Sequence, residues 1–252
     1  MSFAVSAEAY DRFMGRFSVP LAQSFANFAG VTAGKRALDV GSGPGALTAE
    51  LIDRLGVASV MSIDPSESFT AALRARFPEL DVRRGAAERL PYADTTFDVV
   101  LAQLVVHFMA DPVVGLQEMA RVTRPGGRIA ACVWDHAGDG GPLSLFWRAV
   151  HDLDPENGGE ADLPGTRDGH LAELFRLAGL RDVESAALRV TNGFVSFEDW
   201  WDPYTLGVGP AGSYVASLDP GPLEALKARC RDRLPTAPFE STAVAWAARA
   251  QV

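Results

Sequence analysis

Cysteine, lysine and long apolar runs are all scarce in this chain of 252 residues. The two cysteines, Cys132 and Cys230, lie far apart, which excludes a disulfide framework and fits a reduced, cytoplasmic compartment. The four histidines, His107, His136, His151 and His170, show no metal-ligand spacing, and neither cysteine has a close partner, so no metal is expected. The longest apolar-rich run, residues 99–110, is interrupted by Gln103 and His107 and is too short for a bilayer. Residues 1–8 lack the positive start and apolar stretch of a signal peptide, so no membrane association is expected. Positive charge is also in deficit: 23 Lys and Arg stand against 32 Asp and Glu, a net charge of −9. Such a body repels a phosphate backbone, and nucleic acid is not an expected partner. Lys35 and Lys227 are the only lysines, a preference for arginine that hints at a GC-rich bacterial gene. No apolar stripe reads as an interface, so the sequence leaves the oligomeric state open. The hydrophobic fraction of 48% and charged fraction of 22% are those of an ordinary globular protein and exclude a disordered one.

What the chain does contain is alternation. Helical patterns at 6–14 and 20–29 precede an apolar strand at 36–40. Strands at 58–63, 81–84, 97–102 and 128–134 follow, with helices at 46–55, 66–77 and 112–123 between them. Nearly all-apolar strands separated by helices predict an α/β fold with a parallel sheet covered on both faces. The rhythm breaks after Trp134. A helix at 169–178 and strands at 183–190 and 242–250 resume it, and a helix is expected near 223–234. The irregular stretches 135–169 and 197–235 read as insertions over the C-terminal edge of the sheet, within one domain spanning 1–252 whose ligand-binding core is 36–134.

The strongest local pattern is the run from Leu38 to Leu47, in which Asp39, Gly41, Gly43 and Gly45 stand between a strand and a helix. Glycines permit a sharp turn and close approach of a ligand, and the following helix offers free N–H groups. Nineteen residues after Gly45, Asp64 ends the second strand, where a carboxylate can accept hydrogen bonds from ribose hydroxyls. Gly41-x-Gly43-x-x-Ala46 also satisfies a dinucleotide fingerprint, which keeps a nicotinamide-dependent oxidoreductase as an alternative. Asp39 is awkward beside a pyrophosphate but suits a cationic amino group or the ordering of the loop.

These residues resemble the class I S-adenosylmethionine-dependent methyltransferases, especially the small-molecule branch similar to the ubiquinone and menaquinone biosynthesis enzymes. The resemblance is carried by Asp39-x-Gly41-x-Gly43-x-Gly45, by Asp64, by the stretch from Gly85 to Tyr92 with Phe97-Asp-Val-Val100, and by Arg124-Pro-Gly-Gly127. It implies a Rossmann-like, seven-stranded, mostly parallel sheet with a reversed last strand. It further implies methyl transfer from S-adenosylmethionine to a small-molecule acceptor by in-line displacement, with S-adenosylhomocysteine as product. In that reading the Gly41–Gly45 loop passes the methionine and ribose portions, Asp64 binds the ribose and Pro65 packs on the adenine. Ala86 and Ala87 lie at the adenine edge, and Gln103 faces the methionine portion. Tyr10, Met14 and Arg16 would close over the cofactor, Arg16 forking onto its carboxylate. Ala86 departs from the family pattern, in which many relatives carry an aspartate to the adenine amino group; here Glu88 or a backbone group would replace it.

An activated methyl group needs a positioned nucleophile and a dry site more than a strong base. His107, just past the fourth strand, is the candidate base, with a structural histidine in an apolar wall as the other reading. Trp200, Trp201 and Tyr204, with Phe146 and Trp147, are expected as a substrate lid, with an ordinary packed core as the alternative. A chain of this pattern that binds S-adenosylmethionine without turnover is the remaining non-enzymatic reading.

Overall fold

The computed structural model describes residues 6–252. The reading of the extreme N-terminus as free of a signal sequence falls largely on residues 1–5, outside the described residues. Seven strands form one sheet: β1 (Ala37–Val40), β2 (Val60–Asp64), β3 (Asp81–Arg84), β4 (Phe97–Gln103), β5 (Thr123–Trp134), β6 (Glu184–Phe194) and β7 (Phe239–Gln251). Their order is β3-β2-β1-β4-β5-β7-β6. The first five are parallel, and β7 runs antiparallel to both β5 and β6. The alternation predicts the parallel sheet, and the seven Rossmann-like strands with a reversed last one are those the resemblance implies.

The helices are α1 (Ala7–Tyr10), α2 (Arg16–Ala29), α3 (Ala46–Leu55), α4 (Glu67–Arg76), α5 (Pro112–Val122), α6 (Ser144–Leu153), α7 (His170–Leu177), α8 (Phe197–Trp201), α9 (Gly209–Ser217) and α10 (Pro220–Arg233). A π-helical turn, Asp11–Gly15, joins α1 to α2, so the two expected N-terminal helices run on without a break. The two-residue period of a strand sends alternate side chains to opposite faces. In β5, Ile129, Ala131 and Val133 enter one apolar cluster with Leu116 and Met119 of α5 and Phe175 of α7. Ala130, Cys132 and Trp134 enter the other, with Leu21 and Phe25 of α2 and Leu51 of α3. Both faces are therefore dry, which is why β1 is buried at all four positions. No helix among the described residues is long and apolar enough to cross a membrane.

The strand order reverses between β1 and β4. The loops leaving their C-terminal ends diverge there and open a crevice. The segment containing α8, α9 and α10 is inserted between β6 and β7. Within it α10 packs on α6, and the turn after α8 meets the Asp11–Gly15 turn. Phe146 and Tyr204 stack with centroids 4.5 Å apart, Trp200 lies 4.8 Å from Tyr204, and Phe13 meets Tyr204 edge-on at 5.1 Å. Trp201 is buried in the same cluster, and the Trp147 indole N–H donates to Glu160 Oε2 at 2.9 Å. These five rings, expected as an acceptor lid, occupy one another's faces. The packed-core alternative describes their placement.

Phe146 is fully buried in that stack. Phe146→Ala is expected to lower unfolding free energy by about 3–5 kcal/mol, the range for a buried phenylalanine truncated in a rigid core. Urea unfolding checks this, and a loss below about 1 kcal/mol would mark rings that already yield to solvent.

Candidate functional site

A cavity of about 870 Å³ opens at the strand-order reversal. Its floor is the β1–α3 loop. Gly41 adopts φ +68°, and a Cβ there would collide with the Val105 side chain, so the loop closes against the segment after β4 only with glycine. The Gly41 and Ser42 N–H groups donate to the Ile63 carbonyl at 2.8 and 3.1 Å, tying the loop to β2. Gly43, at φ +53°, turns its own N–H onto Asp64 Oδ2 at 2.8 Å.

Asp64 ends β2, and its other oxygen, Oδ1, accepts from the Ser66 N–H at 2.8 Å. Each carboxylate oxygen thus takes one main-chain donor and keeps acceptor capacity. Burial raises the Asp64 pKa, and the amide bonds from Ser66 and Gly43 act against it. Asp39, almost fully buried, accepts from the Thr48 hydroxyl at 2.6 Å. Burial pushes its carboxyl up to about 7, the Thr48 hydrogen bond opposes this, and the Asp64 charge adds to it. Two carboxyls on one cavity wall leave that wall short of positive charge.

Gln103, expected to face the methionine portion of a cofactor, lines the cavity. Its Nε2 donates to the Ser18 carbonyl at 3.0 Å, which fixes the amide and leaves Oε1 buried without a protein partner. Ser18 Oγ and Ser42 Oγ, on residues of the same wall, are equally without partners. Leaving such groups unpaired costs about 1–3 kcal/mol each, which a polar ligand would offset.

Of the residues expected to hold a cofactor, Tyr10, Asp39, Gly41, Gly43, Asp64, Pro65, Ala86, Ala87 and Gln103 line this one cavity. Gly45 lies just behind, at the start of α3, with a Cβ position filled by Leu73. Met14 faces a neighbouring recess. Arg16 is engaged elsewhere: its Nη2 donates to Asp199 Oδ1 at 2.9 Å and its guanidinium lies 4.6 Å from the Phe194 ring centre. The expected fork onto a cofactor carboxylate is therefore replaced by an ion pair holding α2 to α8. At the Ala86 departure, Glu88 lines the cavity, but its Oε1 accepts from the Ala110 and Asp111 N–H groups at 2.7 and 3.3 Å.

His107 does not line the large cavity. It belongs to the recess of about 40 Å³ that also receives Met14, and it shares that recess with His136 and Glu160. Burial, and secondarily His136, hold its pKa well below the ordinary imidazole value, so the ring is neutral at neutral pH. Burial likewise brings His136 down to about 4 and Glu160 up to about 7. His136 and Glu160 are absent from the sequence-derived candidates because both fall in a stretch without regular pattern. Leu104, Val105 and Phe108, which line the cavity, are also absent from them. Leu104 takes φ +62°, a strained conformation for a non-glycine residue, and no sequence pattern reveals it. Among the described residues no group of three His, Cys, Asp or Glu is placed to hold a metal ion.

Residues 38–131 match the family model described as a methyltransferase domain. The chain is 37% identical over 135 residues to an uncharacterized methyltransferase of Mycobacterium tuberculosis, covering 54% of this chain and 52% of that one. It is 43% identical over 100 residues to a demethylmenaquinone methyltransferase of Beutenbergia cavernae, covering 40% and 41%. The chain thus spans about half or less of the curated relatives it matches. Among solved structures it resembles a phosphoethanolamine N-methyltransferase of Haemonchus contortus in complex with phosphomonomethylethanolamine and S-adenosylhomocysteine. There the TM-score is 0.59 at 16% identity, with 97% of this chain and 56% of that one covered. At that identity the likeness is one of fold.

Proposed function

We propose that this chain, whose residues 38–131 match a methyltransferase domain, is a class I S-adenosylmethionine-dependent methyltransferase that transfers a methyl group from S-adenosylmethionine to a small-molecule acceptor. The observation that carries the reading is the Asp64 carboxylate, clamped by the Gly43 and Ser66 amides at the rim of an 870 Å³ cavity. Two oxygens so fixed suit the paired hydroxyls of a ribose. The rest of the wall fits the same group. The unpartnered Gln103 Oε1 and Ser42 Oγ can pair with polar atoms of its amino-acid portion, and the buried Asp39 carboxyl favours the cationic end. Pro65, Ala86 and Ala87 give an apolar seat for a base, and Tyr10 covers the cavity from the N-terminal side. The described residues act as one domain in this reading, supported by a single sheet whose strands run from Ala37 to Gln251.

The bound cosubstrate supplies an activated methyl group on a sulfonium centre. The protein contributes position and dryness. The glycine loop and Asp64 orient the ligand, Gln103 is pre-set by the Ser18 carbonyl, and the apolar segment Leu104–Phe108 excludes water from one side.

Asp64→Asn is expected to weaken S-adenosylhomocysteine binding about 10- to 150-fold, corresponding to about 1.5–3 kcal/mol for hydrogen bonds to a charged group. Calorimetry on the purified variant measures it, and an unchanged Kd would remove Asp64 as the ribose ligand. Affinity is also expected to depend on pH through Asp39. A cationic ligand favours its ionised form, so binding at pH 6 must first expel a proton from a carboxyl whose free pKa is about 7. Affinity should therefore rise with pH through about 7, with proton release seen as a buffer-dependent heat, and Asp39→Asn should abolish both. A flat profile in the wild type would contradict this role.

A further inference from the structure

The recess holding His107 lies directly behind the large cavity and shares Tyr10, Leu104 and Phe108 with it. Its polar groups come from three separate stretches of chain. His107 follows β4, Trp134 ends β5 with His136 in the turn after it, and Glu160 lies in the loop between α6 and α7. His107, Trp134 and Glu160 are 4%, 2% and 3% exposed. The two imidazole centroids are 5.9 Å apart at an angle of 56°. Nδ1 of His107, Nδ1 of His136 and Nε1 of Trp134 are all buried with no partner in the protein. Unpaired buried polar atoms are rare in folded chains, and these three belong to residues that line one recess, where another molecule's polar group could meet them.

The chemistry of the recess selects among possible occupants. No lysine or arginine lines it, so an anion would meet only a carboxyl and two neutral rings. A cation would need an ionised Glu160, which burial opposes and whose Oε2 is already taken by the Trp147 indole. A neutral imidazole offers one donor and one acceptor nitrogen. Two such rings in one recess complement a hydroxyl, which donates once and accepts. The volume of about 40 Å³ has room for about three water-sized groups, enough for the reacting end of a molecule and not its body.

We propose that this recess receives the reacting end of the methyl acceptor, a neutral hydroxyl held between the His107 and His136 imidazoles, whose proton passes to His107. The inference rests on the methyl-transfer reading above. As the O–H bond breaks toward His107 Nδ1, the oxygen lone pair forms the new O–CH3 bond. The electron pair of the broken S–CH3 bond stays on sulfur, which becomes a neutral thioether, and the acceptor leaves as a methyl ether. The imidazolium appears as the sulfonium charge disappears, so the buried site keeps its net charge. That balance lets a desolvated histidine serve here, and the proton returns to water when products leave.

The test uses the whole protein saturated with S-adenosylhomocysteine and titrated calorimetrically with phenol, toluene, benzylamine and benzoate. Phenol is expected to bind about tenfold more tightly than the other three, the difference made by two hydrogen bonds. His107→Leu and His136→Leu should each lose most of that preference, while His107→Asn and His136→Asn, which restore an amide near Nδ1, should recover part of it. S-Adenosylhomocysteine affinity should stay within about twofold throughout. His136 is half-buried, so its variants carry the test if the His107 variants do not fold. Phenol binding no tighter than toluene, a preference for benzylamine or benzoate, or full phenol affinity in His136→Leu would each overturn the proposal. Failure of the wild type to bind S-adenosylhomocysteine would instead remove the methyl-transfer reading and this inference with it.

Discussion

The site depends on one carboxylate held by two main-chain amides. Asp64 accepts from Gly43 on the loop after β1 and from Ser66 at the start of α4. Those bonds join three consecutive pieces of the fold at the point where strand order reverses. They also explain the backbone: Gly43 must take φ +53° for its N–H to face the carboxylate, and Gly41 must lack a Cβ for the loop to lie against Val105. A buried carboxylate would otherwise be costly, and the amides reduce that cost while leaving further lone pairs unused.

Around that anchor the protein separates its polar groups into two compartments. The large cavity carries the acids Asp39 and Asp64 with the fixed amide of Gln103. The small recess carries His107, His136 and Glu160, all brought by burial toward their neutral forms. Tyr10, Leu104 and Phe108 line both, and Leu104 holds a left-handed conformation that costs about 1–3 kcal/mol. That strain is tolerated just past the end of β4, with the Leu104 N–H fixed to the Cys132 carbonyl at 2.8 Å.

The sheet was legible in the sequence because its signal is local. Runs such as Val99-Val-Leu-Ala are apolar on both faces, and turns carrying glycine and proline punctuate the chain. The cavity floor was legible for the same reason, since a strand, a glycine loop and an acid at the next strand end lie within 26 residues of sequence, 39–64. What depended on long-range packing was not. The cluster of Trp200, Trp201 and Tyr204 has the composition of either a lid or a core, and only its contacts with Phe13 and Phe146 decide between them. Arg16 has the chemistry to bind a carboxylate, and it does, but the carboxylate is Asp199, 183 residues away. His136 carries no periodic signal, and its nearness to His107 exists only because β5 lies beside β4.

The most direct test of the account is a crystal structure of the protein with S-adenosylhomocysteine. The account predicts the nucleoside in the large cavity, with both ribose hydroxyls within hydrogen-bond distance of the Asp64 carboxylate and the Gly43 and Ser66 amides still in place. A ligand bound elsewhere, or one whose ribose leaves Asp64 uncontacted, would contradict it.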